Sequence, residues 1–237
     1  AKADPSGKRN IDSLIIELAT KIKIASTAKV GHWKMSGNNK VNKMEVTNKN
    51  SGHIIAIGAS TGGTEATAKV LEALPSEMPG IVIVQHMPPV FTKMYADRLN
   101  NTCRLAVKEA EHGDHIEPGL VLIAPGDQHM EIKRSGNGYQ VVLSRGGRVN
   151  GHCPSVDVLF HSVAKVVGSS AVGVILTGMG SDGAKGLLEM RNQGASTLGQ
   201  DEESSVVYGM PKVAYEIGAV QKQYPITGIA QALCALF

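Results

Sequence analysis

Three short apolar runs, IIAIG (54–58), IVIVQ (81–85) and VLIAP (121–125), are separated by stretches of helical spacing over about 63–74 and 91–101. Runs rich in β-branched residues and bounded by Gly, Pro or polar clusters read as strands. Strands that alternate with helices pair in parallel, because each helix carries the chain back to the same end of the sheet. The rhythm resumes with a helix over about 155–167, the strand AVGVILTG (171–178), a helix over about 183–193 and further elements to Phe237. Residues 129–149 interrupt it: MEIKRSGNGYQVVLS alternates with period two around Gly136, Asn137 and Gly138, the pattern of a hairpin. The expected fold is therefore α/β: a doubly wound, mostly parallel sheet of about seven strands with a β-hairpin excursion.

Charge divides the chain. Residues 1–52 hold 10 Lys/Arg against 4 Asp/Glu, or +6, and residues 53–237 hold 14 against 17, or −3. The larger part thus lacks the basic footprint of a nucleic-acid binder, and with 4% aromatic residues it has few platforms for stacking bases. Ile11, Leu14, Ile15, Leu18 and Ile22 fit one amphipathic helix within otherwise polar sequence, so residues 1–52 read as an interdomain linker and residues 53–237 as the functional domain. Cys103, Cys153 and Cys234 are odd in number and widely spaced, which argues for a reducing compartment. With no apolar run near 18 residues, the expectation is a cytoplasmic protein without direct membrane insertion.

Ligands of open parallel sheets bind beyond the carboxyl ends of the strands. Three such ends carry chemistry: Ser60 in GASTGG (58–63), His86 in QHMPP (85–89) and Asp182 in GMGSDG (178–183). Gly58, Ser60 and Gly62 satisfy G-x-S-x-G, a sharp strand-to-helix turn that lifts a hydroxyl above the sheet and frees backbone N–H groups, that of Thr61 among them, to hold an oxyanion. Taken singly, each residue has a plainer role: a tight turn or phosphate loop at Ser60, a buried histidine at His86, a helix cap at Asp182. A P-loop is excluded, because Thr64-Glu65 follows Gly63. Together they suit acyl transfer, with Ser60 as nucleophile, His86 as general base then acid, and Asp182 orienting the imidazole. The chain order Ser, His, Asp is not that of the usual α/β-hydrolase fold.

The remaining candidates are weaker. His112, Asp114, His115, Asp127 and His129 lie in an Asp/Gly-rich stretch where such residues serve turns, and no metal or cofactor is required by the proposed chemistry. Pro154 suggests a helix entry with Pro in the first turn, and His152 beside it is a candidate substrate-loop residue. Met87, Met179 and Met210 are candidates to line an apolar mouth or to fill gaps.

GASTGG (58–63), VQHMPPVFT (84–92), IAPGDQHM (123–130), CPSVDVLF (153–160), ILTGMGSDGAKG (175–186) and GQDEESSVVYGMPKVA (199–214) together resemble the catalytic domain of the chemotaxis protein-glutamate methylesterases. The resemblance implies a receptor-modifying esterase that can also deamidate glutamines, with the triad on Ser60, His86 and Asp182 and an oxyanion donor at the Met179 backbone. It further implies, as partners, methyl-accepting receptors, an upstream receiver domain that this chain lacks, and its histidine kinase. The family usually has Gly where Val90 stands and commonly a basic residue at Cys153. The competing expectation is a non-catalytic nucleotide- or phosphopeptide-binding module built on the Gly-rich loops.

Overall fold

The computed structural model describes residues 52–237, so the expected linker and its helix lie outside the described residues. Seven strands form one sheet: β1 (Ile54–Ala59), β2 (Gly80–Gln85), β3 (Ala106–Glu109), β4 (Leu120–Ile123), β7 (Ala171–Ile175), β8 (Ser196–Gln200) and β9 (Lys222–Tyr224). Their order is β3-β4-β2-β1-β7-β8-β9, and every pairing is parallel. The hairpin of β5 (His129–Ser135) and β6 (Gly138–Ser144) stands apart, closed by the two-residue loop Gly136–Asn137 with Gly136 at φ 56°. The doubly wound sheet and its hairpin excursion match the sequence reading.

The helices are α1 (Gly63–Ala73), α2 (Phe91–Thr102), α3 (Val156–Val166), α4 (Ala184–Asn192), α5 (Met210–Glu216) and α6 (Ile226–Cys234). The strand alternation sorts them onto two faces. Ile55, Ile57, Ala59, Ile81 and Ile83 pack with buried residues of α1, α2 and α6, whereas Ile54, Ala56, Val82 and Val84 pack with α3, α4, α5 and the hairpin. Burial on both faces explains why these strands are apolar throughout, and each fully buried Ile or Val contributes about 1.5–3 kcal/mol. The hairpin is fastened to α3 by the Ile132 N–H, which donates to Ser162 Oγ at 3.0 Å.

The winding places the site. From β1 the chain moves outward through β2, and it later returns to the opposite side of β1 as β7. The carboxyl end of β1 is therefore the switch point, flanked by loops that diverge in opposite directions and leave a crevice. Among the described residues, no helix is long and apolar enough to cross a membrane.

Candidate active site

Ala59 pairs in register with Gln85, so the next residues, Ser60 and His86, stand at adjacent strand mouths. The His86 N–H donates to the Ala59 carbonyl at 3.1 Å, and the Ser60 N–H donates across to Thr177 of the β7 extension at 3.0 Å. The Ser60 carbonyl accepts from the Gly63 N–H at 2.7 Å and from the Gln85 side-chain amide at 2.9 Å. Gln85 is only 3% exposed, so a buried amide props the Ser60 turn from beneath. Gly62 occupies the left-handed region at φ 78°, where an added Cβ would stand 2.6 Å from Val206 Cβ, so the turn needs glycine for conformation and for space. Gly178 lets β7 approach closely: a Cβ there would lie 2.8 Å from Ser60 Cβ.

His86 Nε2 lies 2.8 Å from Asp182 Oδ2. A carboxylate only accepts, so Nε2 carries the proton and Nδ1 keeps the lone pair. Nδ1 is buried and has no hydrogen-bond partner among the described residues. Asp182, 2% exposed, also accepts from Ser155 Oγ at 2.8 Å, Asn150 Nδ2 at 2.8 Å, and the backbone N–H groups of Val156 at 2.7 Å and Asp157 at 3.2 Å. Burial is the largest single influence on this carboxyl and pushes it up. The combined hydrogen bonds from His86, Asn150, Ser155 and Val156 outweigh burial and hold it well below the usual carboxylate range. Asp182 is thus an ionised acceptor at the N-terminus of α3, where free N–H groups and the helix dipole favour negative charge.

Among the described hydrogen bonds none engages Ser60 Oγ or the backbone N–H groups of Thr61 and Met179. The Ser60 N–H, by contrast, is committed to Thr177. Thr177 Oγ1 donates to the Thr61 carbonyl at 3.0 Å and accepts from the Val207 N–H at 2.9 Å, fixing the peptide that follows Ser60. The arrangement offers a hydroxyl at one strand mouth, an imidazole lone pair backed by a carboxylate at the next, and uncommitted N–H donors at Thr61 and Met179.

The His152 ring stacks on the His86 ring, with centroids 3.7 Å apart and planes 9° from parallel. Its imidazole is pushed toward neutrality, first by burial and then by His86, with Asp182 opposing. Met87 and Met179 are half-buried near the mouth, but Met210 is fully buried beneath Gly178 and lines nothing. Pro154 precedes the helix rather than entering its first turn, because Ser155 is the N-cap and α3 begins at Val156. The histidines of 112–129 do separate work: His112 Nδ1 accepts from the Leu143 N–H at 3.2 Å, and buried His129 accepts from the Ser155 N–H at 3.2 Å while its Nε2 donates to Gly147 at 2.9 Å. No group of three or more His, Cys, Asp or Glu side chains suited to a metal ion is found among the described residues. Gln85, Asn150 and Asp157 were not singled out from sequence, and Ser155 was read only as a residue near the helix cap. Only Ser155 had a signal, as a capping residue before an apolar run.

The description "CheB methylesterase" matches residues 55–233. The chain is 55% identical over 239 residues to protein-glutamate methylesterase/protein-glutamine glutaminase 2 of Syntrophomonas wolfei, covering all of this chain and 69% of that protein. It is 51% identical over 233 residues to the protein of the same activities from Syntrophotalea carbinolica, of whose length it spans 66%. The Escherichia coli K12 protein-glutamate methylesterase/protein-glutamine glutaminase is 57% identical over 182 residues, or 77% of this chain and 52% of that one. The chain therefore spans about half to two thirds of these relatives. In structure it resembles the Thermotoga maritima CheB methylesterase catalytic domain, with TM-score 0.77 and 41% identity, covering 79% of this chain and all of that one. A match over most of residues 52–237, together with full-length similarity above half identity, shows that the chain belongs to the CheB methylesterase family.

Proposed function

We propose that this chain hydrolyses γ-methyl esters of glutamate on chemotaxis receptors, releasing methanol, and deamidates receptor glutamines, releasing ammonia. The observation that carries the reading is the 2.8 Å contact between His86 Nε2 and buried Asp182, beside Ser60 at the switch point of the sheet. In this reading Ser60 Oγ attacks the ester carbonyl as His86 Nδ1 takes its proton, and Asp182 stabilises the imidazolium. The N–H groups of Thr61 and Met179 receive the developing oxyanion, each worth about 3 kcal/mol when well placed. Collapse expels methanol, protonated by His86, and water then releases the glutamate by the same steps in reverse. An amide differs only in its poorer leaving group, which raises the demand on His86 as acid. The nucleotide- or phosphopeptide-binding alternative has no observation in its favour.

The test is methanol release from a peptide carrying a glutamate γ-methyl ester, with ammonia release from the glutamine peptide measured alongside. Turnover of the ester faster than the amide supports the reading. No methanol above the uncatalysed rate contradicts it.

The same reading places the chain in the cytoplasm and takes residues 1–52 as a linker to an upstream receiver domain, phosphorylated by a histidine kinase, that covers the mouth of the site. Deleting residues 1–50 should leave ester turnover within a factor of about three, because no proposed catalytic group is lost. A hundredfold loss, about 2.7 kcal/mol, with an unchanged circular dichroism spectrum would show instead that the segment helps to build the site.

A further inference from the structure

Between β6 and α3 the chain makes a tight turn at Val149–His152. The Val149 N–H donates to the His152 carbonyl at 3.0 Å, and the His152 N–H returns to the Val149 carbonyl at 2.9 Å. Both central residues have positive φ, 52° at Asn150 and 82° at Gly151, the signature of a type I′ Asn-Gly turn. Asn150 is an exposed residue, yet its side-chain amide reaches two buried carboxylates. Nδ2 donates to Asp157 Oδ2 at 2.7 Å and to Asp182 Oδ1 at 2.8 Å, using both amide protons on two carboxylates that are 4% and 2% exposed. Asp157 Oδ1 accepts from the Gly186 N–H of α4 at 2.7 Å, so Asp157 is anchored from the other side. Two buried carboxylates held this close repel each other strongly unless donors stand between them. The other end of the same turn delivers His152 onto the face of His86.

We propose that Asn150 is a positioning residue for ester hydrolysis: its amide clips Asp182 to Asp157, while its turn sets His152 against His86, so one four-residue turn holds both the carboxylate and the ring plane of the general base. The proposal rests on the assignment of Ser60, His86 and Asp182 above. Neither side-chain contact of Asn150 reaches the reacting atoms, so its effect passes through Asp182 and His86. The charged and titratable groups set around the pair, among the described residues, are Asp157 on α3 and His152 on the turn, with Arg148 acting on His152.

The experiment compares the full chain with Asn150→Gly, which accommodates the positive φ and removes the side chain with its amide. Methanol release from the γ-methyl ester peptide is followed across pH 5–9. Loss of the clip removes the donor that stands between the two carboxylates, so the surroundings of the general base become more negative. The expected result is a kcat lower by about 30- to 100-fold with KM within about threefold, and an acid limb displaced to higher pH. Asp157→Asn keeps an oxygen for Gly186 and sets its NH2 against Asn150 Nδ2, so it opens the clip while removing one negative charge, and its acid limb should move to lower pH. Opposite displacements in the two variants are what a purely structural role does not produce. The proposal is overturned if Asn150→Gly has wild-type kcat and pH profile, or if Asp157→Asn leaves the limb in place. The second criterion holds even if the glycine variant fails to fold. Ester turnover retained by Ser60→Ala would overturn the underlying catalytic assignment instead, so the two failures are distinguishable.

Discussion

Ser60 and Asp182 stand on similar pieces of chain with opposite fates. Each lies in a Gly-rich turn between a strand and a helix, and in each the residue before the helix is a glycine with positive φ, Gly62 at 78° and Gly183 at 92°. Ser60 is half-buried and its Oγ engages no partner among the described hydrogen bonds. Asp182 is buried and accepts from five groups. The difference comes from what lies over each turn. The N-terminus of α3 covers Asp182 and supplies Ser155 Oγ together with the N–H groups of Val156 and Asp157. Ser60 has scaffold beneath it, in Gln85 and Thr177, and no tertiary partner on its hydroxyl among the described hydrogen bonds. One local motif therefore yields a free hydroxyl or a locked anion, according to the tertiary donors around it.

The contrast is sharpest at His86, which stands at the strand mouth next to Ser60 and bonds to Asp182. His86→Ala should cut ester turnover by about 10⁵- to 10⁶-fold, because the serine loses its base and the carboxylate its purpose in one step. Steady-state methanol release measures it, and a loss below tenfold would break the link between the turns.

Asp182 is expected to matter for folding as well as for rate, whereas Ser60 matters for rate alone. Asp182→Asn should lower kcat by about 10⁴-fold, since the amide no longer selects the Nε2-protonated ring. Asp182→Ala should cost about 3–5 kcal/mol in urea unfolding, because it strands buried donors, while Ser60→Ala should stay within about 0.5 kcal/mol of wild type. The pH dependence has a definite sign. The folded state holds Asp182 below its ordinary value, so its contribution to stability is full above a pH of about 3.9 and is lost as pH falls below that. The stability gap between wild type and Asp182→Ala should narrow over that interval, and a gap that stays constant would mean Asp182 is not held as an anion.

The smallest effect lies at the rim. Val90, the residue before α2, has φ 74° and is 72% exposed, a left-handed conformation that a β-branched residue adopts only under strain. Val90→Gly should stabilise the chain by about 1 kcal/mol, read as a rise in Tm, with turnover unchanged within twofold. A fall in Tm would mean that the valine side chain contributes packing that outweighs the strain.

The strands and the residues at their mouths were readable because short apolar runs ending in Gly or Pro clusters encode both the sheet and its carboxyl edge. Ser60, His86 and Asp182 follow from that edge. Position 90 was readable only as a departure from the resembled family, and its positive φ supplies the physical reason for glycine there. Asn150, Ser155 and Asp157 were not readable as site residues, because their contacts to Asp182 span 25 to 32 positions and depend on how the loop after β6 closes. The reading of Pro154 as a first-turn residue erred for a related reason: the helix starts after Ser155, whose hydroxyl both caps it and reaches Asp182, a tertiary contact that the local sequence does not show. Gln85 closes β2, where a polar residue reads as the strand's limit rather than as a prop for the next turn.

The most direct test of the central claim is kcat/KM for methanol release from the γ-methyl ester peptide by wild type and Ser60→Ala, prepared and folded identically. The expected result is a loss of about 10⁵- to 10⁶-fold with an unchanged melting curve. Ester turnover by Ser60→Ala within about tenfold of wild type would contradict Ser60 as the nucleophile.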